Sequence, residues 1–331
     1  MGRSRAESRP IDVQLDGSGS YVGSGRPMPG RRLGYVAPVT STRPREFTPP
    51  RGDVTLRYLE WGPDDGPLAV LLHGFPDSAH TWRHLGPALA DQGFHAVAPW
   101  LRGYHPSSVP VDSNYRIGAL AQDVSALADH VAAPDPVLVG HDWGAIIGYA
   151  GMASEPNRWH RLVTLAVPPL GAVMAGFLTF AQIRRSWYMF VFQHPLAEAI
   201  VAADDLHFID ELWHEWSPGY DPADDLPGVK TALRDPANLA AALGYYRAML
   251  GMSEPDEQSA ADGAAYLPSP VPTLYLHGAD DGCMGADLVA GSAASLPAPG
   301  SRVEVLDGVG HFLHLEDPTR LNGMICEFLT T

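Results

Sequence analysis

From Glu46 onward, short apolar runs alternate with segments of helical periodicity. Val54–Glu60 alternates in the manner of a strand. Leu68–Leu72 (LAVLL) is continuously apolar, as a strand buried on both faces requires. Ser78–Ala90 follows with a helical pattern and Ser78 as its cap. His95–Pro99 predicts a strand, Tyr115–Val131 a helix, Pro136–Gly140 (PVLVG) a strand, Ala145–Ala153 a helix and Arg161–Val167 a strand. Near the end come the strand Thr273–His277, a helix near Ala286–Leu296, the strand Arg302–Leu306 and a last helix through Leu321–Phe328. Alternation of this kind predicts an α/β class fold: a parallel sheet with helices on both faces.

The alternation stops between Pro169 and about Pro270. That stretch is rich in aromatic residues and Ala, and its patterns are helical over Met189–Val201, Leu206–Glu215 and Ala237–Leu250. It predicts an α-helical cap over the carboxyl edge of the sheet, the edge where ligands bind in open α/β sheets. The expected organisation is an N-terminal extension over 1–45, a core in two parts over 46–168 and 266–331, and the cap over 169–265.

Composition narrows the function classes. The chain has 331 residues, 45% of them apolar and 18% charged, enough to bury a sizeable core. Its formal net charge of −16 argues against nucleic acid and anionic membranes as partners. The first 45 residues differ, with eight Arg against three acidic residues, a net of +5. That tract holds the linker-like run GSGSYVGSG and no apolar signal segment, so it is expected to be partly mobile. The Arg31-Arg32 pair leads into LGYVAPV, too short and too interrupted by Pro38 for an export signal. Leu162–Ile183 approaches the length of a membrane span, but Pro168-Pro169 divides it. Two cysteines, Cys283 and Cys326, cannot frame a disulfide scaffold and suggest a reducing, cytoplasmic setting. With neither CxxC nor HExxH, no metal or other cofactor is expected.

The candidate chemistry lies at strand ends. Gly140-His141-Asp142-Trp143-Gly144 follows a buried strand and precedes a helix. Gly-x-nucleophile-x-Gly is the sharp turn that exposes a nucleophile, and Asp142 occupies the central position. His73-Gly74-Phe75-Pro76 follows LAVLL, where a loop can supply one oxyanion-hole N–H, from Phe75; Trp143 would supply the other. An acid stands at Asp281, with Asp280 as the alternative, just past TLYLH. His311, in Gly308-Val309-Gly310-His311-Phe312, follows the strand RVEVL. The order nucleophile, acid, His is that of a hydrolase triad, with His311 as general base. His73, His141 and His314 read as supporting or structural histidines.

The motifs HGFP, GHDWG and GHFLHLEDP, spanning about Leu68 to Pro318, resemble those of the α/β-hydrolase superfamily. The resemblance is to the aspartate-nucleophile branch that holds epoxide hydrolases and haloalkane dehalogenases. It implies an α/β-hydrolase fold with an inserted helical cap and hydrolysis of an epoxide through a covalent aspartyl ester, and a cap rich in Met, Phe and Trp suggests that this is a small apolar epoxide. Two cap tyrosines would hold the epoxide oxygen. The segments WYMFVFQ and GYYRAM assign them to Tyr188 and Tyr246, with Tyr245 as the rival for the second. The loop Leu101-Arg102-Gly103-Tyr104 departs from the family's DLRGYG, having Trp100 for Asp and His105 for Gly, a change expected to alter pocket shape. Haloalkane dehalogenation is the alternative, with Trp143 and Trp187 as halide donors, although Phe75 stands where those enzymes commonly carry Asn. A non-catalytic binding protein on the same fold is a third reading. No motif names the particular epoxide or an oligomeric state.

Overall fold

The computed structural model describes residues 44–50, 52–251 and 259–331. The extension expected over 1–45 lies, but for its last two residues, outside them. Eight strands form one sheet: β1 Arg45–Phe47, β2 Leu56–Trp61, β3 Leu68–Leu72, β4 His95–Pro99, β5 Val137–His141, β6 Leu162–Leu165, β7 Thr273–Gly278 and β8 Arg302–Leu306. Their order is β1-β2-β4-β3-β5-β6-β7-β8. β2 runs antiparallel to both β1 and β4, and every other pair is parallel. Every residue of β3, β4 and β5 is buried, which accounts for their unbroken apolar runs. Each large aliphatic side chain so buried contributes roughly 1.5–3 kcal/mol.

The helices before β7 are α1 Leu85–Asp91, α2 Ile117–Val131, α3 Trp143–Ser154, α4 Leu170–Phe177, α5 Phe180–Arg185, α6 Trp187–Val191, α7 Ala197–Trp216, α8 Leu226–Leu233, α9 Pro236–Leu250 and α10 Ser259–Ala264. α11 Leu313–Glu316 and α12 Pro318–Thr330 follow β8. Helices α4 to α10 form one excursion between β6 and β7. None of the helices among the described residues is long and apolar enough to cross a membrane.

The structure corrects several expected elements. The helix Ser78–Ala90 is a 3₁₀ turn, Ala79–Arg83, followed by α1. Pro87 has no N–H to bond the Arg83 carbonyl, so a continuous α-helix cannot cross that point. Ser78 makes no side-chain capping bond. The helix Met189–Val201 is interrupted between α6 and α7 at Pro195. α7 itself breaks at 203–206, where Asp204, Asp205 and Leu206 take positive φ. The helix near Ala286–Leu296 is two 3₁₀ turns parted by Gly291 at φ +88°. β1 was not expected, being three residues with two charges. It is held by pairing with β2 and by the ion pairs Arg45–Glu60 and Arg57–Glu46.

Candidate active site

Asp142 sits between β5 and α3 with φ +51° and ψ −115°, a conformation that non-glycine residues rarely adopt. The turn closes only because its neighbours lack side chains. A Cβ on Gly140 would lie 2.2 Å from the Gly144 carbonyl oxygen, and one on Gly144 would lie 2.0 Å from that of Leu72. A Cβ on Gly74 would lie 2.4 Å from Asp142 Oδ1. These glycines let the loop after β3 approach the carboxylate, and the Phe75 N–H donates to Oδ1 at 2.8 Å. Burial raises the Asp142 carboxyl above its usual range, while His311 and the N–H groups of Phe75 and Trp143 pull it back.

Asp281, just past β7, is buried, and Asp280 beside it is exposed on the turn. The N–H groups of Cys283 and Met284 donate to Asp281 Oδ1 at 2.7 and 2.8 Å. Its other oxygen, Oδ2, accepts from His311 Nδ1 at 2.9 Å. That bond leaves His311 Nε2 as the free ring nitrogen, 3.7 Å from Asp142 Oδ2. Nε2 has no hydrogen-bond partner among the described residues. Burial pushes the His311 pKa down, but Asp281 and then Asp142 outweigh it, so the net shift is upward.

The imidazole is anchored from behind. Its backbone N–H donates to the Trp216 carbonyl at 3.0 Å, and its carbonyl accepts from His141 Nε2 at 2.9 Å. His73 uses both ring nitrogens on backbone, with Nδ1 on the Gly74 carbonyl and Nε2 accepting from the Leu101 N–H. Burial lowers its pKa to about 4, and that of His314 to about 3, so both stay neutral. The loop 100–104 therefore lies beneath His73, where Tyr104 packs edge-on at 4.8 Å. It packs beneath the site without lining the cavity, and Arg102 is held to Asp123 by two bonds of 2.6 Å.

A cavity of about 330 Å³ opens over Asp142. Tyr188 from α6 and Tyr246 from α9 line it, their ring centroids 5.6 Å apart. The Tyr188 hydroxyl lies 3.4 Å from Cys283 Sγ, and that of Tyr246 has no hydrogen-bond partner among the described residues. Burial raises both phenols well above their ordinary range, so they remain protonated donors. Tyr245 points elsewhere, donating to the Arg102 carbonyl at 2.7 Å. Trp187 stands 38% exposed against Phe208 and is not part of the cavity wall.

Sequence reasoning missed three neighbours of this site. Cys283 and Met284 are fixed by their proximity to Asp281, a signal that two-residue spacing from the acid could have given. Trp216 ends a broken helix, and nothing local marks its carbonyl as the partner of His311. Two buried trios also have donor types that suit a metal ion: Asp77, His141 and His314, and Asp281, Cys283 and His311. In the second, Asp281 and His311 already bond one another. A larger surface hollow, about 740 Å³, lies between the ends of α2 and α3. Its Arg158 is paired with Asp129 and Glu155.

A carboxyl group and two protonated phenols thus face one small apolar space, with a lone imidazole nitrogen 3.7 Å from the carboxyl. Such a set can attack an electrophilic carbon, protonate a departing oxygen and deliver water to an ester.

Residues 67–318 match the alpha/beta hydrolase fold family. Epoxide hydrolase A of Mycobacterium tuberculosis is 30% identical over 312 aligned positions, covering 84% of this chain and 94% of that protein. The crystal structure of epoxide hydrolase A from Mycobacterium thermoresistibile superposes with a TM-score of 0.70 at 28% identity, over 87% of this chain and 98% of that one. The Bacillus megaterium epoxide hydrolase, in complex with an inhibitor, does so with a TM-score of 0.73 at 26% identity, over 87% and 100%.

Proposed function

The chain belongs to the α/β-hydrolase fold family, and from that premise we propose that it hydrolyses epoxides to vicinal diols through an ester on Asp142. The observation that carries this reading is the pair of buried phenols that line one cavity with Asp142. An opening epoxide develops alkoxide character and needs proton donors, whereas a departing halide does not. Helices α4 to α10 act as the cap that supplies those donors. The names of the epoxide hydrolases similar to this chain support the same reading.

In the first step, Tyr188 and Tyr246 donate to the ring oxygen while an Asp142 oxygen attacks a ring carbon from the opposite side. The C–O bond of the ring breaks, and a phenol proton passes to the alkoxide. In the second step, His311 Nε2 takes a proton from water, which adds to the ester carbonyl carbon. The N–H groups of Phe75 and Trp143 hold the oxyanion. Its collapse breaks the bond from the Asp142 carboxyl carbon to the substrate oxygen. The departing alkoxide takes the imidazolium proton and leaves as the diol, and the proton left on the Asp142 carboxyl returns to the phenolate. The separation of 3.7 Å between Nε2 and Asp142 Oδ2 is too long for a direct hydrogen bond and favours water as the go-between. Asp281 holds the imidazole tautomer and steadies its cation. Both cysteines are free thiols, which supports a reducing, cytoplasmic setting.

A panel of styrene oxide, an aliphatic epoxide, a 1-haloalkane and a p-nitrophenyl ester tests the reaction class. Diol release alone is expected. Halide release with no diol would move the protein to dehalogenation.

Tyr188→Phe and Tyr246→Phe should each slow ester formation by roughly a hundredfold, since each removes one donor to the developing charge. The double variant should be close to inactive without a product of the two effects, because both donors serve one oxygen. Single-turnover stopped-flow measures this; normal ester formation in both single variants would reduce these residues to packing.

The two steps should separate by pH. Ester formation needs ionised Asp142, so its rate falls as pH drops through a pKa above the ordinary 3.8. Ester hydrolysis needs neutral His311. The free-enzyme pKa is raised above 6.5, partly by Asp142, and that contribution vanishes once Asp142 is esterified. Hydrolysis should therefore rise with pH through a midpoint below that of the free imidazole. Rapid-quench profiles of each step, set against NMR titration of His311, would show equal midpoints if this is wrong.

A further inference from the structure

The wall of the cavity has one polar pole. Besides Asp142 and the two phenols, its lining side chains are apolar apart from the half-exposed Tyr266, and four are methionines, at 174, 189, 249 and 284. Asp142 is the only charged residue that lines it among the described residues. A carboxylate or phosphate near the reacting ring would find no cation there and would face Asp142 across a desolvated space.

The apolar surface does not stop at the cavity. Along α4, Leu170, Val173, Met174 and Phe177 recur at the spacing of one helix face, and Leu178 continues the wall. Leu170 and Val173 are buried, Phe177 is half-buried, and Met174 and Leu178 are 54% and 70% exposed. At about 1.5 Å per residue the track is roughly 10–12 Å long, from the cavity to the surface. Tyr266, also a lining residue, is 41% exposed and completes the rim. Gly171 brings α4 against the Tyr266 segment, where an added Cβ would lie 2.9 Å from the Tyr266 carbonyl oxygen. Single exposed apolar residues are ordinary, but a run continuous with a buried cavity marks a ligand groove. Flexible methionines suit a chain of variable shape.

We infer that the substrate is a neutral epoxide bearing a long unbranched hydrocarbon chain. The chain runs from Asp142 along α4 and leaves across the rim of Met174, Leu178 and Tyr266. This rests on the epoxide reading and names its substrate class.

The test is kcat/KM for a series of terminal epoxides from 1,2-epoxybutane to 1,2-epoxydodecane, each below its solubility limit. We expect a rise of roughly two- to fourfold per methylene until the chain reaches the rim. Leu178→Asp changes an exposed position and should leave the melting temperature in place. It should lower kcat/KM for the dodecyl compound about tenfold more than for the butyl one. Equal kcat/KM along the series, or the same loss on short and long chains in Leu178→Asp, overturns the inference while leaving the epoxide reading intact. A protein that opens none of these epoxides overturns both.

Discussion

Asp142→Ala leaves a folded protein whose epoxide turnover is lower by roughly 10⁴-fold or more. The carboxylate has no understudy. Asp281 is bound on one oxygen by two backbone N–H groups and on the other by His311, and it does not line the cavity. The fold should tolerate the change, because the close approach at the turn rests on Gly74, Gly140 and Gly144, and what is lost is the bond from the Phe75 N–H. In single turnover with wild-type protein in oxygen-18 water, the first diol should carry an unlabelled oxygen taken from Asp142. A diol bearing one oxygen-18 atom in that first turnover would falsify covalent attack and point to direct addition of water.

His311→Gln should separate the two steps. Attack by a carboxylate on a protonating epoxide needs no base, so the ester forms near its normal rate. Loss of the general base then slows ester hydrolysis by roughly 10²–10⁴-fold. Intact-protein mass spectrometry should show a gain equal to the substrate mass, and peptide mapping should locate it on Asp142. The substitution loosens the hydrogen bond on Asp281 Oδ2, at a cost of about 1–3 kcal/mol if the oxygen is left unpaired. A melting curve checks that the trapped species is folded. An inactive, folded variant that never gains mass would mean that His311 acts before the ester exists.

The sheet was legible wherever burial leaves a local trace. β3 and β4 fall on the runs that periodicity marked, because strands covered on both faces must be apolar throughout, and the part-exposed edge strand β8 falls on its expected range as well. β1 was not legible, since three residues with two charges gain their structure from a neighbour alone. Ser78–Ala90 misled because amphipathic spacing survives a 3₁₀-to-α junction, and only Pro87 marks it.

At the site, the position of Asp142 at the turn was readable because the flanking glycines are a steric requirement of that turn. Two adjacent pairs were not separable by local pattern. Asp280 and Asp281 differ only in which side chain turns inward. Tyr245 and Tyr246 are successive residues on one helix, about 100° apart around its axis. One ties α9 to the Arg102 carbonyl and the other faces the cavity. Such assignments depend on what packs against the helix, which no window of sequence contains.

The excursion from α4 to α10 leaves the sheet at β6 and returns at β7, and those two strands are direct hydrogen-bonded partners, with Leu162 opposite Thr273. The sheet thus closes on itself without the helices, and the entropic penalty of a longer or shorter excursion grows only with the logarithm of its length. On the proposed mechanism, the groups that meet the substrate are therefore inherited on two separate pieces of chain. The phenols and the apolar track travel with the excursion, while Asp142, Asp281 and His311 stay with the strand ends. One clasp limits this exchange. The Trp216 carbonyl receives the backbone N–H groups of both His311 and Gly282. A transplanted helical segment would have to bring an equivalent acceptor to that point, whatever else it changed.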